Sequence, residues 1–386
     1  MTGNGTLAVL QLVANRWWTG SADPVIQLSR GLEARGHRVL LGLIPGGRFE
    51  DKAREAGLQP LPGLSLEAKL APVGVLTDVR RLRRLVTAER VDVVHTHHSH
   101  DHWLGLLCRG RAALVRSFHS ARGVSARWPA TALYRRSDAL IAASGEIAAR
   151  CRETGVAAER LFRVDGVTDV ARFAEAGGGE KIREEFGLGS GPVLGCVARL
   201  ASRRGHDALI RGFALLLPTY PDARLLLVGK GELRARLDAL VHDLGLAQQV
   251  LFTGYRDTDL PAVLDALDVF VLLGAGSDES CRAALEAMAA ARPVVARRVG
   301  ALGEAVVHGA TGLLVDDDCP DSVAAALRTL LEDPDRSRAM GEAGRRRALA
   351  AFTPERHAAQ IEAVYRSALT RSLSPATGGR VRGAAG

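Results

Sequence analysis

Short runs of uninterrupted apolar residues recur along this chain, and each is followed by a stretch with helical spacing. In the first half the runs are LAVLQLV (7–13), RVLLGLI (38–44), VDVVHTH (91–97), ALVRSFH (113–119) and DALIAAS (138–144). Runs without polar alternation suit strands buried on both faces, which is the condition of a parallel sheet covered by helices. The segments 23–35 and 77–90 carry the helical pattern between them. Residues 174–192 break the rhythm with AEAGGGE and LGSGP, so the linker between two domains is expected there. The cycle then restarts with PVLGCVARL, ARLLLVG, QVLFTG, VFVLLG, PVVARRV and GLLV. The pattern predicts an α/β protein of two doubly wound Rossmann-like domains, 1–180 and 188–352, facing across a cleft. Residues 353–371 read as a last helix that returns to the first domain, and 372–386 as a tail without order.

A chain of 386 residues is long enough for two cores. Its net charge of +8 is uneven: residues 1–190 hold 27 Lys and Arg against 20 Asp and Glu, leaving +1 for the rest. A basic half fits an anionic ligand or an anionic membrane surface. The basic helix around Arg80, Arg81, Arg83, Arg84 and Arg90 lacks interleaved aromatics, which speaks against nucleic acid. The five cysteines are scattered with no CxxC pair, as expected of a reducing compartment. No apolar run approaches about 18 residues, so a cytoplasmic protein, at most peripheral to the membrane, is expected.

The most informative stretch is GAGSDESCRAALEAMAAARPVV. A strand ends near Leu273, a Gly-rich loop follows, and a helix opens near Ser280, a plausible N-cap. Free backbone N–H groups and the helix dipole make such an end an anion site. Asp278 stands before the helix and Glu286 two turns inside, where sugar hydroxyls can be bound; a capping acid and a helix-surface acid are the plainer reading of the pair.

Asp278, seven residues, then Glu286-Ala287-Met288 resembles the signature of the retaining GT-B glycosyltransferases of family 4, the glycosyl transferases group 1. The family carries Glu where Asp278 stands, and Gly-Phe-Gly where Glu279, Ser280 and Cys281 stand. CVARLASRRGHDALIRGF is similar to a second family motif: Arg199 matches its Arg, and Arg204 stands where Lys is usual. The resemblance implies that Arg199 and Arg204 stabilise a diphosphate leaving group. It also places the backbone of Ser280, Cys281, Arg282 and Ala283 on sugar and diphosphate, Glu286 on the ribose, and the segment from Gly254, with Tyr255, on the base. Tyr255 covering a strand end is an equal reading.

The resemblance further puts His119 beside the reacting carbon, where it positions rather than attacks, and makes Arg122 an acceptor or phosphate contact. A strand-end histidine bonded to backbone is the alternative. In the loop ANRWWTGSADP, relatives have paired glycines against donor phosphate; only Gly20 is present, and Trp17 and Trp18 precede it as candidates for stacking on an acceptor. Six of eleven histidines lie at 95, 97, 98, 100, 102 and 119, but successive strand residues point to opposite faces, so no metal site is read from them. Asp257-Thr258-Asp259 is read as a helix cap and Asp316-Asp317-Asp318 as a surface turn, both away from the diphosphate.

The implied activity is metal- and cofactor-independent, retaining hexosyl or N-acetylhexosaminyl transfer. Its donor would be UDP- or GDP-linked and its acceptor a glycan or lipid-linked group of cell-envelope polysaccharide, lipopolysaccharide or glycolipid synthesis. The alternative is an inactive relative serving as a nucleotide-sugar sensor or scaffold.

Overall fold

The computed structural model describes residues 5–18, 22–67, 72–175, 177–274 and 281–373. The first sheet has the order β2-β1-β3-β4-β5-β6, formed by β1 (Ala8–Val13), β2 (Arg38–Leu43), β3 (Val93–Thr96), β4 (Ala113–Phe118), β5 (Ala139–Ala142) and β6 (Leu161–Arg163). The second has the order β12-β11-β10-β7-β8-β9, formed by β7 (Val193–Val197), β8 (Arg224–Val228), β9 (Val250–Gly254), β10 (Val269–Leu272), β11 (Val294–Arg297) and β12 (Gly312–Val315). Every pair is parallel, as continuous apolar strands require.

Side-chain alternation divides the first core in two. Val9, Val93, Val115 and Ile141 face one way, onto the helix Asp23–Ala34 and the C-terminal helix Pro354–Leu373. Leu10, Leu12, Val94 and Leu114 face the other, onto the helices Pro72–Ala88 and Ser99–Cys108. The C-terminal helix inserts Ala358, Ile361, Val364, Tyr365 and Ala368 into the first domain. The second core is one contiguous cluster from Val170 to Phe352.

Four details differ from the sequence reading. β6, only three residues long, gives too little apolar run to be seen. The chain crosses between Val164, in the first core, and Val170 and Phe173, in the second, so the crossing precedes the expected linker. Inside that expected linker the helix Gly179–Glu185 packs on the second domain, with Gly179 N donating to Asp265 Oδ2 at 3.0 Å. The basic helix begins a turn early and ends at Ala88, leaving Arg90 beyond it at φ +48°. The expected tail falls outside the described residues from 374 onward.

Candidate functional site

In the second sheet the chain runs outward from β7 through β8 to β9, then returns to β10 on the other side of β7. That reversal leaves a crevice at the C-terminal strand ends, the usual ligand position in such sheets. A cavity of about 730 Å³ lies there. Val197–Arg199 after β7, Val228–Lys230 after β8 and Tyr255–Asp257 after β9 form one wall. Cys281, Arg282, Ala283 and Glu286 form another, and the first domain closes it with Trp17, Trp18, Asp23 and Gln27.

The loop carrying the cations is held from both sides by bare backbone. A Cβ on Gly229, whose φ is +148°, would lie 2.0 Å from the Ala198 carbonyl oxygen, and one on Gly274 would lie 2.1 Å from that of Arg203. Only glycine permits either approach. Between these contacts Arg199 projects into solvent and pairs with Glu232 at 3.0 Å, while Arg204 is half-buried on the cavity wall. Lys230 adds a third cation to the lining.

The helix Arg282–Ala289 begins at the cavity with Cys281 as its N-cap. Cys281 is held at φ +56°, the left-handed region, where the family pattern has glycine. Ser280 is therefore not the residue next to the helix, and both it and Asp278 lie outside the described residues. Glu286 is 5% exposed. Its Oε1 lies 3.2 Å from Arg282 Nε, and Arg282 also reaches Asp23 at 3.7 Å across the cleft and covers the Trp18 ring at 5.8 Å. Burial pushes the Glu286 carboxyl above its ordinary range, opposed chiefly by Arg282.

Of the other expected site residues, Tyr255 is half-exposed on the cavity wall, and Trp17 is 67% exposed. Trp18 packs at a tilt on Phe49. Gly20 lies outside the described residues. His119 lines a separate, small cavity with His97, Ser117 and His357, and Arg122 is exposed beside it; neither lines the large cavity. Pro24 lines the small cavity and its neighbour Asp23 the large one, so the two adjoin at the start of one helix. The reading of Asp257 is corrected. It caps no helix but lines the large cavity, where Lys52 of the first domain pairs with it at 2.8 Å. Asp259 holds the N-cap position without a side-chain bond, its carboxylate being taken by Arg256. Asp316 and Asp318 pair with Arg298 and Arg297 at the surface.

Among the described residues no three His, Cys, Asp or Glu side chains converge as metal ligands. His95, His97, His102 and His119 hydrogen-bond to protein side chains, and Asp101 caps their helix by accepting from the His98 and Ala14 amides. Sequence reasoning missed Lys230, Asp23, Gln27 and Arg172 on the large cavity. Lys230 had a signal: it sits between two glycines directly after a buried strand. The other three had none, because tertiary contact alone brings them there.

Residues 179–347 match the family described as glycosyl transferases group 1, and residues 19–172 match glycosyltransferase family 4. The chain is 34% identical over 322 residues to a GDP-mannose-dependent alpha-(1-6)-phosphatidylinositol monomannoside mannosyltransferase of Mycobacterium tuberculosis, covering 77% of this chain and 80% of that protein. It is 41% identical over 189 residues to the Mycolicibacterium smegmatis protein of the same name, a match spanning half of that relative. Among solved structures, Anabaena Alr3699/HepE in complex with UDP and glucose superposes with a TM-score of 0.80 at 22% identity, covering 93% of this chain and 99% of that one.

Proposed function

The chain belongs to glycosyltransferase family 4, the glycosyl transferases group 1 with the GT-B fold, and on that premise we propose that it is a retaining, metal-independent hexosyltransferase acting on a lipid-linked acceptor. Glycosyl transfer from a nucleotide sugar is the family's activity; the donor, the stereochemistry and the acceptor are the proposal. One observation carries it: Arg199, Arg204 and Lys230 line the same crevice as the N-terminus of the helix Arg282–Ala289 and the buried Glu286. Three cations and a helix end suit a diphosphate, and a buried carboxylate one turn deeper suits ribose hydroxyls. The same cations neutralise the charge that develops on the leaving diphosphate, the task a divalent ion performs elsewhere. Activity should therefore survive EDTA.

In the proposed step the bond from the sugar C1 to the diphosphate oxygen breaks, and the acceptor oxygen bonds C1 on the same face. The acceptor's proton passes to the departing diphosphate. The mannosyl donor named for the mycobacterial relatives makes GDP-mannose the first candidate. A lipid acceptor fits the exposed Arg80, Arg81, Arg83 and Arg84 of the basic helix. Val73 and Leu76 on that helix, and Trp103 and Leu107 on the one packed against it, are exposed apolar side chains that can enter an anionic membrane surface. No helix among the described residues is long and apolar enough to cross a membrane.

The deciding experiment is a thermal-shift panel of GDP-, UDP- and ADP-sugars. Stabilisation by one nucleotide identifies the donor through binding linkage. No shift with any of them would overturn the proposal and favour an inactive relative serving as a scaffold.

A further inference from the structure

The small cavity behind the cleft is backed by a continuous hydrogen-bonded chain that joins β1, β3, β4 and the C-terminal helix. Gln11, fully buried in β1, is its centre. Its Nε2 faces the Tyr365 hydroxyl at 3.3 Å, and its Oε1 faces His97 Nε2 at 2.8 Å. His97 Nδ1 meets His119 Nε2 at 3.1 Å, the rings stacked 5.3 Å apart. On the other branch the Tyr365 hydroxyl lies 2.7 Å from His95 Nδ1, and His95 Nε2 lies 2.8 Å from Ser117 Oγ.

The branch through His97 and His119 admits one assignment of protons once the Gln11 amide is placed. A carbonyl oxygen only accepts, so His97 Nε2 carries hydrogen. A neutral imidazole holds one N–H, which leaves His97 Nδ1 a lone pair. His119 Nε2–H must then donate to it, and His119 Nδ1 is left as an acceptor. On the other branch the Gln11 NH₂ donates to Tyr365, and the Tyr365 and Ser117 hydroxyls, which both donate and accept, fit either tautomer of His95. Burial keeps the rings neutral, with His95 pushed down to about 3 and His119 to about 4.

We propose that Gln11 is a positioning residue that acts through His97 to hold His119 as the Nε2–H tautomer, so that Nδ1 is offered as an acceptor to a substrate hydroxyl. Nδ1 makes no hydrogen bond among the described residues. His119 thereby receives a proton-sharing contact rather than giving one, which selects a hydroxyl and rejects an anionic oxygen at that point. The substrate half of this statement rests on the cleft being the transfer site; the tautomer itself does not.

The test separates the two. Long-range ¹H–¹⁵N correlation of the ¹⁵N-histidine-labelled full chain, with His119→Gln for assignment, should show His119 Nδ1 without hydrogen and Nε2 with it. Gln11→Leu removes the acceptor for His97 Nε2–H. Reversal moves that N–H from the buried His97 to Nδ1 of His119, the less buried ring, so the His97–His119 pair should reverse. With it kcat should fall about tenfold while the donor KM moves less than about threefold. A wild-type spectrum with hydrogen on His119 Nδ1, the mark of a Gln11 amide turned by 180°, would overturn the proposal even if Gln11→Leu failed to fold. So would a folded Gln11→Leu whose tautomer or kcat is unchanged. A correct tautomer in a protein that transfers no sugar would count against the transferase reading alone.

Discussion

Acidification should strip stability from the first domain far more than from the second. His95, His97, His98, His102, His119 and His357 crowd the C-terminal end of the first sheet, and burial is the first cause lowering each of them below its ordinary value near 6.5. His95 falls to about 3, and His98, His119 and His357 to about 4. The unfolded chain therefore binds more protons below pH 6.5, and the stability present above that value is lost as pH falls. Between pH 7.5 and 5.5 each such histidine costs roughly 1 kcal/mol, or about 6 kcal/mol together. Asp101 works the other way. Burial raises it to about 7, so acidification relieves its buried charge and returns about 2 kcal/mol. The net loss of about 4 kcal/mol is a large part of the roughly 5–15 kcal/mol by which a domain is stable. Only His206 is comparably lowered in the second domain.

All four tryptophans, Trp17, Trp18, Trp103 and Trp128, belong to the first domain, so their fluorescence follows that domain alone. Urea titrations at pH 7.5 and 5.5 should show the fluorescence midpoint falling by about 1.5–2 M, for an m-value of about 2–3 kcal/mol/M. Circular dichroism sums both domains, so its later transition, from the second domain, should move little. A fluorescence midpoint that shifts by less than about 0.5 M would refute the reasoning, because neutral buried histidines cannot avoid this linkage.

Two further outcomes are expected. Glu286→Ala and Arg199→Ala should each lower kcat/KM by at least about a hundredfold, equal to about 2.7 kcal/mol of transition-state stabilisation, while melting temperatures stay near wild type; near-wild-type turnover in either would remove the donor-site assignment. Gly229→Ala drives a methyl into the Ala198 carbonyl and strains the backbone as well, so stability should fall by about 2 kcal/mol or more. Nucleotide affinity should fall with it, and calorimetric titration showing wild-type affinity would mean that the Arg199 loop is placed by something else.

The architecture was legible because eleven of the twelve strands are continuous apolar runs whose burial is written into their composition. β6 escaped because three half-covered residues carry no period. The large cavity was readable where residues follow a fixed strand–loop–helix order, as at Arg199, Arg204 and Glu286 on its wall. It was unreadable where two distant segments meet. Asp257 follows Tyr255 onto the cavity wall, but nothing within its own segment shows that it pairs there with Lys52 of the other domain. His119 illustrates a third limit. Its place at a strand end was clear, but the sequence does not show that Gln11 and Tyr365, 354 positions apart, stand behind it.

The C-terminal helix also decides how this enzyme can be recombined with its relatives. It follows the second domain in the chain, yet Ile361, Val364 and Tyr365 complete the core of the first. A chimaera made with one splice, near residue 165, would carry a foreign helix into that core and leave Gln11 and His95 facing the wrong partner. Exchange of donor specificity needs two splices, the second just before Pro354, so that the transplanted piece is the interior of the chain and both of its ends stay native.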